Sequence, residues 1–383
     1  MLITGTMPKL DPQFIIPFAK PSGMTSFSSL WQVKKAFGTK KVGHTGTLDS
    51  FADGLLVLLS GKLTKLVPYI TDFDKTYRTL FYFGKETDTL DPEGTVIAKK
   101  PLPVYADFLR AVAALTGTLQ QIPPVYSAVK QNGERLSDKM RRGETVTAAP
   151  RTVRVYSSVI EKIFFEDGSE YTAENTFSSA GKHTDGLDVG EHAAKKVSGA
   201  VLRVHCSKGT YIRSLVRDIA HLCGSASFVY ALRRTAVGPF TLEQAAGFSA
   251  LPPFGNTVAN LADADSIGTA PKSVHDRRAG QDRAGVSAEL SVTRPVSPEA
   301  LKQAALPLSA SLARDMHFQT AVLHEAFYPA FIAGQPIRSC WFSCVEPFTD
   351  SSTIAVFYQD NCAGLITKKE SRFAYGTVFA QNS

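Results

Sequence analysis

Cysteine is scarce. The 383 residues hold five, at 206, 223, 340, 344 and 362. An odd, widely spaced set excludes the disulfide framework of small secreted domains and points to reduced thiols in an intracellular setting. Long apolar runs are missing too. None reaches the length of a membrane span, and "FIIPFA", from Phe14 to Ala19, is too short and too broken by proline for a secretory leader. Histidines at H-x-x-x-H spacing are absent among the eight present. The one close cysteine pair, Cys340 and Cys344, lies in a strand-like run and reads as two buried thiols, so no metal is expected. No repeat is visible. Strands and helices do not alternate as βαβα units, which argues against a doubly wound parallel sheet. The expected class is α+β, with a mainly antiparallel sheet flanked by helices.

What is present is a basic chain. The formal net charge is +7. Residues 1–250 hold 31 Lys and Arg against 23 Asp and Glu, and residues 251–383 hold 11 against 12. A surplus of eight in the first part favours an acidic partner, with nucleic acid the leading class.

Punctuation along the chain predicts the elements. Thr25 or Ser26 caps a helix with Phe27, Leu30, Trp31 and Lys34 at helical spacing, closed by Gly38. "GLLVLLSG" reads as a buried strand, and "KTYRTLFYFG", "RTVRVYSSVIEKIFF" and "GAVLRVHCS" as further strands. "YADFLRAVAALTG" and "TYIRSLVRDIAHLCG" read as helices; the second has Ile212, Leu215, Val216 and Ile219 as its apolar stripe and Thr210 as cap. Residues 166–198, with seven acids and three lysines, read as a surface insertion. Residues 251–305 read as a linker. Residues 306–383 turn strand-like again and predict a small β-rich C-terminal domain after a larger part at 1–250.

Two stretches carry chemistry. "GTKKVGHTGTLDSFADG", Gly38–Gly54, comes within one residue of a phosphate-binding P-loop. A P-loop needs a strand before it, a helix after it and a lysine, whereas here a helix precedes, a strand follows, and His44 takes the lysine's place. The run carries two carboxylates. Asp53, ahead of Gly54, reads as a turn residue. Asp49 follows the small, flexible "GHTGTL", which lets a substrate approach closely, and precedes a rigid buried strand. The second stretch, "CSKGTYIRSLVRD", places Arg213 and Arg217 four apart and off the apolar stripe. An arginine beside a carboxylate favours its charged form, which a carboxylate nucleophile needs.

Six motifs in order, "KPSGMTS", "GHTGTLDSFADGLL", "DKTYR", "IPPVYSAVKQNGERL", "CSKGTYIRSL" and "LRRTAVGPF", resemble the motif set of TruB-type tRNA pseudouridine synthases across about residues 18–248. The tail from Leu306 resembles that family's small PUA-like β-barrel. The resemblance implies that the chain isomerises a uridine in the T arm of tRNA, at position 55, to pseudouridine. It implies Asp49, Tyr77 and Arg213 as catalytic residues, and Lys20, His44, Tyr211 and Leu232 as substrate-binding residues. The reaction involves no redox change and no phosphate energy, so it implies no cofactor. A cytoplasmic monomer with tRNA as partner, away from membranes, is the expected setting. A non-catalytic RNA-binding or tRNA-folding protein on the same fold is the alternative. The chain departs from the family pattern at Ser50, where Pro is usual, and at Asp53, where Thr is usual.

Overall fold

The computed structural model describes residues 13–127, 130–131, 133–142, 144, 148–172, 175–179, 190–254, 295–343, 347–370 and 372–379. The expected insertion at 166–198 and linker at 251–305 lie partly outside these residues, as does Cys344.

Eleven strands form one sheet. Its spine runs in the order Ile15–Lys20, Asp53–Ser60, Ser227–Val237, Lys75–Phe83, Val197–Cys206, Arg151–Phe165, Glu170–Tyr171. All neighbours along it are antiparallel except one: Asp53–Ser60 runs parallel to Ser227–Val237, with Asp53 opposite Arg233 and Gly54 opposite Arg234. That junction requires a glycine. A Cβ on Gly54 would lie 2.4 Å from the Arg234 carbonyl oxygen, and its φ of +110° suits no larger residue.

The strand Asp53–Ser60 is buried at every position because both of its faces are covered. Leu56 and Leu58 pack against Leu30 and Val33 of the helix Ser26–Phe37. Thr25 caps that helix, accepting from the Ser28 amide at 3.1 Å, and Gly38 closes it at φ +62°. Only part of its apolar content faces inward. Leu30 is buried, while Phe27 and Trp31 stand outward.

The main core lies under the helices Tyr105–Ala114 and Ile212–Leu222, where Phe108, Val112, Leu215 and Ile219 pack on Phe81, Leu202 and Val229 of the sheet. Thr210 is not the cap of the second helix. Tyr211 holds that position without a side-chain bond, and the Thr210 hydroxyl donates to the Ser207 carbonyl at 2.9 Å.

The C-terminal strands form a second, five-stranded sheet, ordered Phe342–Ser343, Gln319–Leu323, Thr353–Tyr358, Asn361–Lys369, Arg372–Val378. Among the described residues its edge strands do not pair with each other, so the expected barrel is not closed. Nor does the tail stand apart. Phe318, Ala355, Phe357 and Leu365 share one core with Ile15, Leu55 and Val57 of the large sheet. Cys340, expected to be buried, is exposed, because it lies in the short turn Ser339–Trp341, ahead of the strand Phe342–Ser343.

Candidate active site

A cleft of about 500 Å³ opens on one face of the large sheet beside its parallel junction. Strand alternation explains which side chains reach it. Arg234 sits opposite Gly54 on one side and Tyr77 on the other, and Leu232 follows two residues away on the same face. Tyr77, Leu232 and Arg234 therefore line the cleft together, and Asp49, Arg213 and Tyr211 close it from the loop and the helix start.

Asp49 and Arg213 meet across 164 positions of sequence. Arg213 Nη2 donates to Asp49 Oδ1 at 3.2 Å, and its Nε lies 3.0 Å from Oδ2, too poorly aligned for a hydrogen bond. The Asp49 side chain is 37% exposed and that of Arg213 only 5%. The charge pair thus has a buried cationic anchor and a carboxylate presented to the cleft. Among the described residues no backbone amide donates to this carboxylate, so Asp49 lacks the local bonds of a turn aspartate.

The guanidinium serves a second carboxylate that the sequence reading passed over. Arg213 Nη1 donates to Asp91 Oδ2 at 2.9 Å and to the Thr89 carbonyl at 2.8 Å, and Nη2 also donates to the Tyr126 carbonyl at 3.1 Å. Asp91 is 4% exposed. Burial pushes its carboxyl up to about 6 against the pull of Arg213. The preceding residue, Leu90, is buried at φ +61°, a left-handed conformation rare for leucine, so backbone strain is stored beside the site. The available signal was "TDTLDPEG", Thr87–Gly94, where three acids surround a turn.

Arg234 is the other residue the sequence reading missed. It is 2% exposed, its Nε donates to the Leu55 carbonyl at 2.8 Å and its Nη2 to that of Gly46 at 3.1 Å. It sits opposite Tyr77 on the neighbouring strand, and burial raises the Tyr77 pKa. Two adjacent arginines inside an otherwise apolar strand were its trace in the sequence.

The remaining expected site residues divide. Tyr211 lines the cleft, held by Gln121, whose side chain bonds both its amide and its carbonyl at 2.8 and 3.1 Å. Burial raises its pKa. His44 lies one step back, with the Gly46 amide donating to its Nδ1 at 3.4 Å, and burial and then Arg234 lower its pKa. Lys20 is wholly buried and off the cleft wall. Its Nζ donates to the carbonyls of Pro21, Met24 and Ser50 at 3.0, 2.7 and 3.4 Å, tying the first motif to the loop of Asp49. Burial brings its pKa down to about 8.

Asp53 is not a turn residue. It begins a strand, and Arg233 grips it with two bonds, Nε to Oδ1 at 2.7 Å and Nη2 to Oδ2 at 2.6 Å. The register places the pair on the face away from the cleft, so this extra carboxylate does not meet a substrate there. Asp53→Asn should leave Arg233 buried with half its partner, at a cost of about 3 kcal/mol in stability. Turnover per folded molecule should stay unchanged. Urea unfolding and an activity assay on the same preparation check both, and loss of turnover in the folded variant would contradict the placement.

The Gly38–Gly54 loop cannot be a P-loop, because a helix enters it and the strands Val42–His44 and Asp53–Ser60 follow. Among the described residues no group of three or more His, Cys, Asp and Glu is placed to hold a metal ion.

Comparison with known proteins places the chain among families and folds. Residues 34–180 match the family model described as TruB family pseudouridylate synthase (N terminal domain). A protein of Treponema pallidum named tRNA pseudouridine synthase B is 39% identical over 370 residues, 96% of this chain and 98% of that one. One of the same name from Treponema denticola is 48% identical over 253 residues, 66% of this chain and 68% of that one. Among solved structures, an H/ACA ribonucleoprotein bound to a substrate RNA containing 2′-deoxyuridine has a chain 18% identical to this one. Its TM-score is 0.55, covering 96% of this chain and 85% of that one, a likeness of fold.

Proposed function

Because the chain belongs to the TruB family of pseudouridylate synthases, we propose that it isomerises uridine 55, in the T arm of tRNA, to pseudouridine, with Asp49 as the attacking carboxylate or base. At the coarser level it is a tRNA-modifying isomerase. The observation that carries the finer reading is the cleft-facing carboxylate of Asp49 on the buried Arg213.

The chemistry breaks the N1–C1′ bond, turns the uracil and joins C5 to C1′. The target must first leave its stack, at roughly a few kcal/mol. Asp49 then meets C1′, C6 or the 2′ proton. The freed base needs walls that hold without locking it. The Tyr77 ring supplies stacking and the Leu232 side chain an apolar wall. Tyr211 borders the same space, His44 supports the loop from behind, and Lys20 fixes the loop's backbone. Tyr77, its pKa raised by burial, can move a proton, and Arg234 stands opposite it on the next strand. Looped RNA is the natural target of such a site, and the surplus of eight positive charges in residues 1–250 suits its phosphates. A catalytic domain at 1–250, a linker at 251–305, a PUA-like module at 306–383, and action as a cytoplasmic monomer belong to the same proposal. No cofactor enters it.

The test is release of tritium from tRNA carrying 5-tritiated uridine, since C5 loses its hydrogen when pseudouridine forms. Release confined to the T arm is expected. Tight binding without release would make the chain an RNA-binding protein on the same fold.

Asp91 gives the reaction a pH signature. The folded protein holds this proton up to about pH 6, whereas the unfolded chain releases it near 3.8. Between those values the folded state binds more protons, so the group's contribution to stability falls as pH rises. Above that window Asp91 is charged and shares Arg213 with Asp49. Below about pH 6 Asp91 is neutral, and the guanidinium is left to hold Asp49 alone and keeps that carboxylate back from the substrate. Turnover at saturating tRNA should therefore rise across about pH 6. Asp91→Asn should lower it on the order of tenfold, ~1.4 kcal/mol in barrier, and remove that step. A pH profile of the variant still stepping near 6 would rule Asp91 out as its source.

A further inference from the structure

Two large aromatic side chains stand outside the protein on one helix. Phe27 is 74% and Trp31 60% exposed, one turn apart on Ser26–Phe37. The helix is already anchored by Leu30 and Val33, so neither ring is needed for packing. Each ring has a cation over it: Lys34 Nζ is 6.0 Å from the centre of Phe27, and Lys35 Nζ 5.2 Å from that of Trp31. Lys40 and Lys41 follow, exposed, and residues 12–48 hold five lysines and no acid.

This helix adjoins the cleft. Leu56 and Leu58, its contacts on the sheet, share strand alternation with Gly54, which sits opposite the cleft-lining Arg234. The helix therefore covers the cleft-bearing face. Its first turn is bolted to the catalytic loop: Ser26 Oγ donates to the Leu48 carbonyl at 3.0 Å and accepts from the Leu48 amide at 2.9 Å. Phe27 and Asp49 are the next residues on either side.

We propose that Phe27 and Trp31, with Lys34, Lys35, Lys40 and Lys41, form a second RNA-binding surface, where unpaired bases of the same tRNA stack outside the cleft. Rings give sequence-tolerant stacking and lysines meet phosphates, the combination used by single-strand-binding surfaces. Continuity with the Asp49 loop makes the occupant a neighbouring part of the substrate already in the cleft. The inference rests on the tRNA reading of the cleft and extends it.

The experiment uses the full chain and the double variant Phe27→Ala/Trp31→Ala, with kcat and KM for tritium release from whole tRNA. KM should rise tenfold or more with kcat and melting temperature unchanged. In parallel, oligouridylate should quench the fluorescence of Trp31. That signal should vanish in Trp31→Phe, whose KM stays near the parent's because a ring remains. An unchanged KM in the double variant, with an active parent, overturns the surface and leaves the cleft reading intact. An inactive parent sinks the cleft reading, and the quenching then judges the surface by itself. RNA-free dimers lost in the double variant, with no quenching, would give the face to a second copy and overturn the proposal.

Discussion

Asp49→Asn is expected to bring pseudouridine formation to background while tRNA binding persists. The substitution keeps size and shape, and an amide oxygen can still accept from Arg213 Nη2. It removes only the negative charge and the nucleophilicity. Were Asp49 a turn residue, asparagine would replace it well, because both make the same local backbone bonds. Among the described residues its carboxylate makes none and bonds to Arg213 alone. Among the described residues that line the cleft, Asp49 is the only carboxylate. Asp91 lies buried behind the guanidinium and Asp53 is gripped on the opposite face. Binding should hold because stacking on Tyr77 and the phosphate contacts do not need this charge. It should tighten slightly, since a carboxylate is removed from beside a polyanion. Tritium release and a filter-binding curve on the same tRNA measure both effects. An Asp49→Asn variant that still turns over would end the assignment.

The second large effect belongs to Arg213. Arg213→Lys keeps the charge, yet a fall in turnover on the order of hundredfold or more is expected, the scale on which small displacements of a reacting group act. The guanidinium is planar and reaches four partners at once: Asp49, Asp91 and the carbonyls of Thr89 and Tyr126. An ammonium is a point charge on a flexible stem and cannot bridge two carboxylates on opposite sides. Buried as it is, it would settle on one of them and leave the other partners unpaired. If it stays with Asp91, Asp49 is free to rotate away from the target; if it moves to Asp49, that carboxylate is over-paired. Either way turnover falls more than affinity. Arg217 is the matched control. It lies one turn on along the helix, more open to solvent, bonded to Asp218 and the Ile122 carbonyl, and Arg217→Lys should change turnover little. Equal effects at the two positions would mean that Arg213 acts as general positive charge.

Much of the scaffold was legible along the chain because it is written in short-range code. Thr25 and Gly38 bracket a helix, and the alternation from Lys75 to Phe83 and from Arg151 to Phe165 marks strands. Those choices depend on residues a few positions apart, and the structure places them as the pattern implies. Asp49 and Arg213 were legible for a different reason. Each sits where local pattern leaves a charged group unexplained, in a flexible loop before a buried strand and on a helix away from its apolar stripe.

What the sequence by itself determined, then, was the elements, a mainly antiparallel sheet and Asp49 and Arg213 as candidates for one site. Tertiary structure alone decided how the charges are shared. Asp91 reaches Arg213 across 122 residues and Arg233 reaches Asp53 across 180. A charged residue carries no mark of its distant partner, so an acid in a turn and an acid behind an arginine read alike. The direction of Phe27 and Trp31 was hidden for a related reason. Helical spacing gives the angle between side chains, but only the sheet beneath the helix fixes which angle is inside. The parallel register of Gly54 against Arg234 settles that face, and with it which residues look into the cleft.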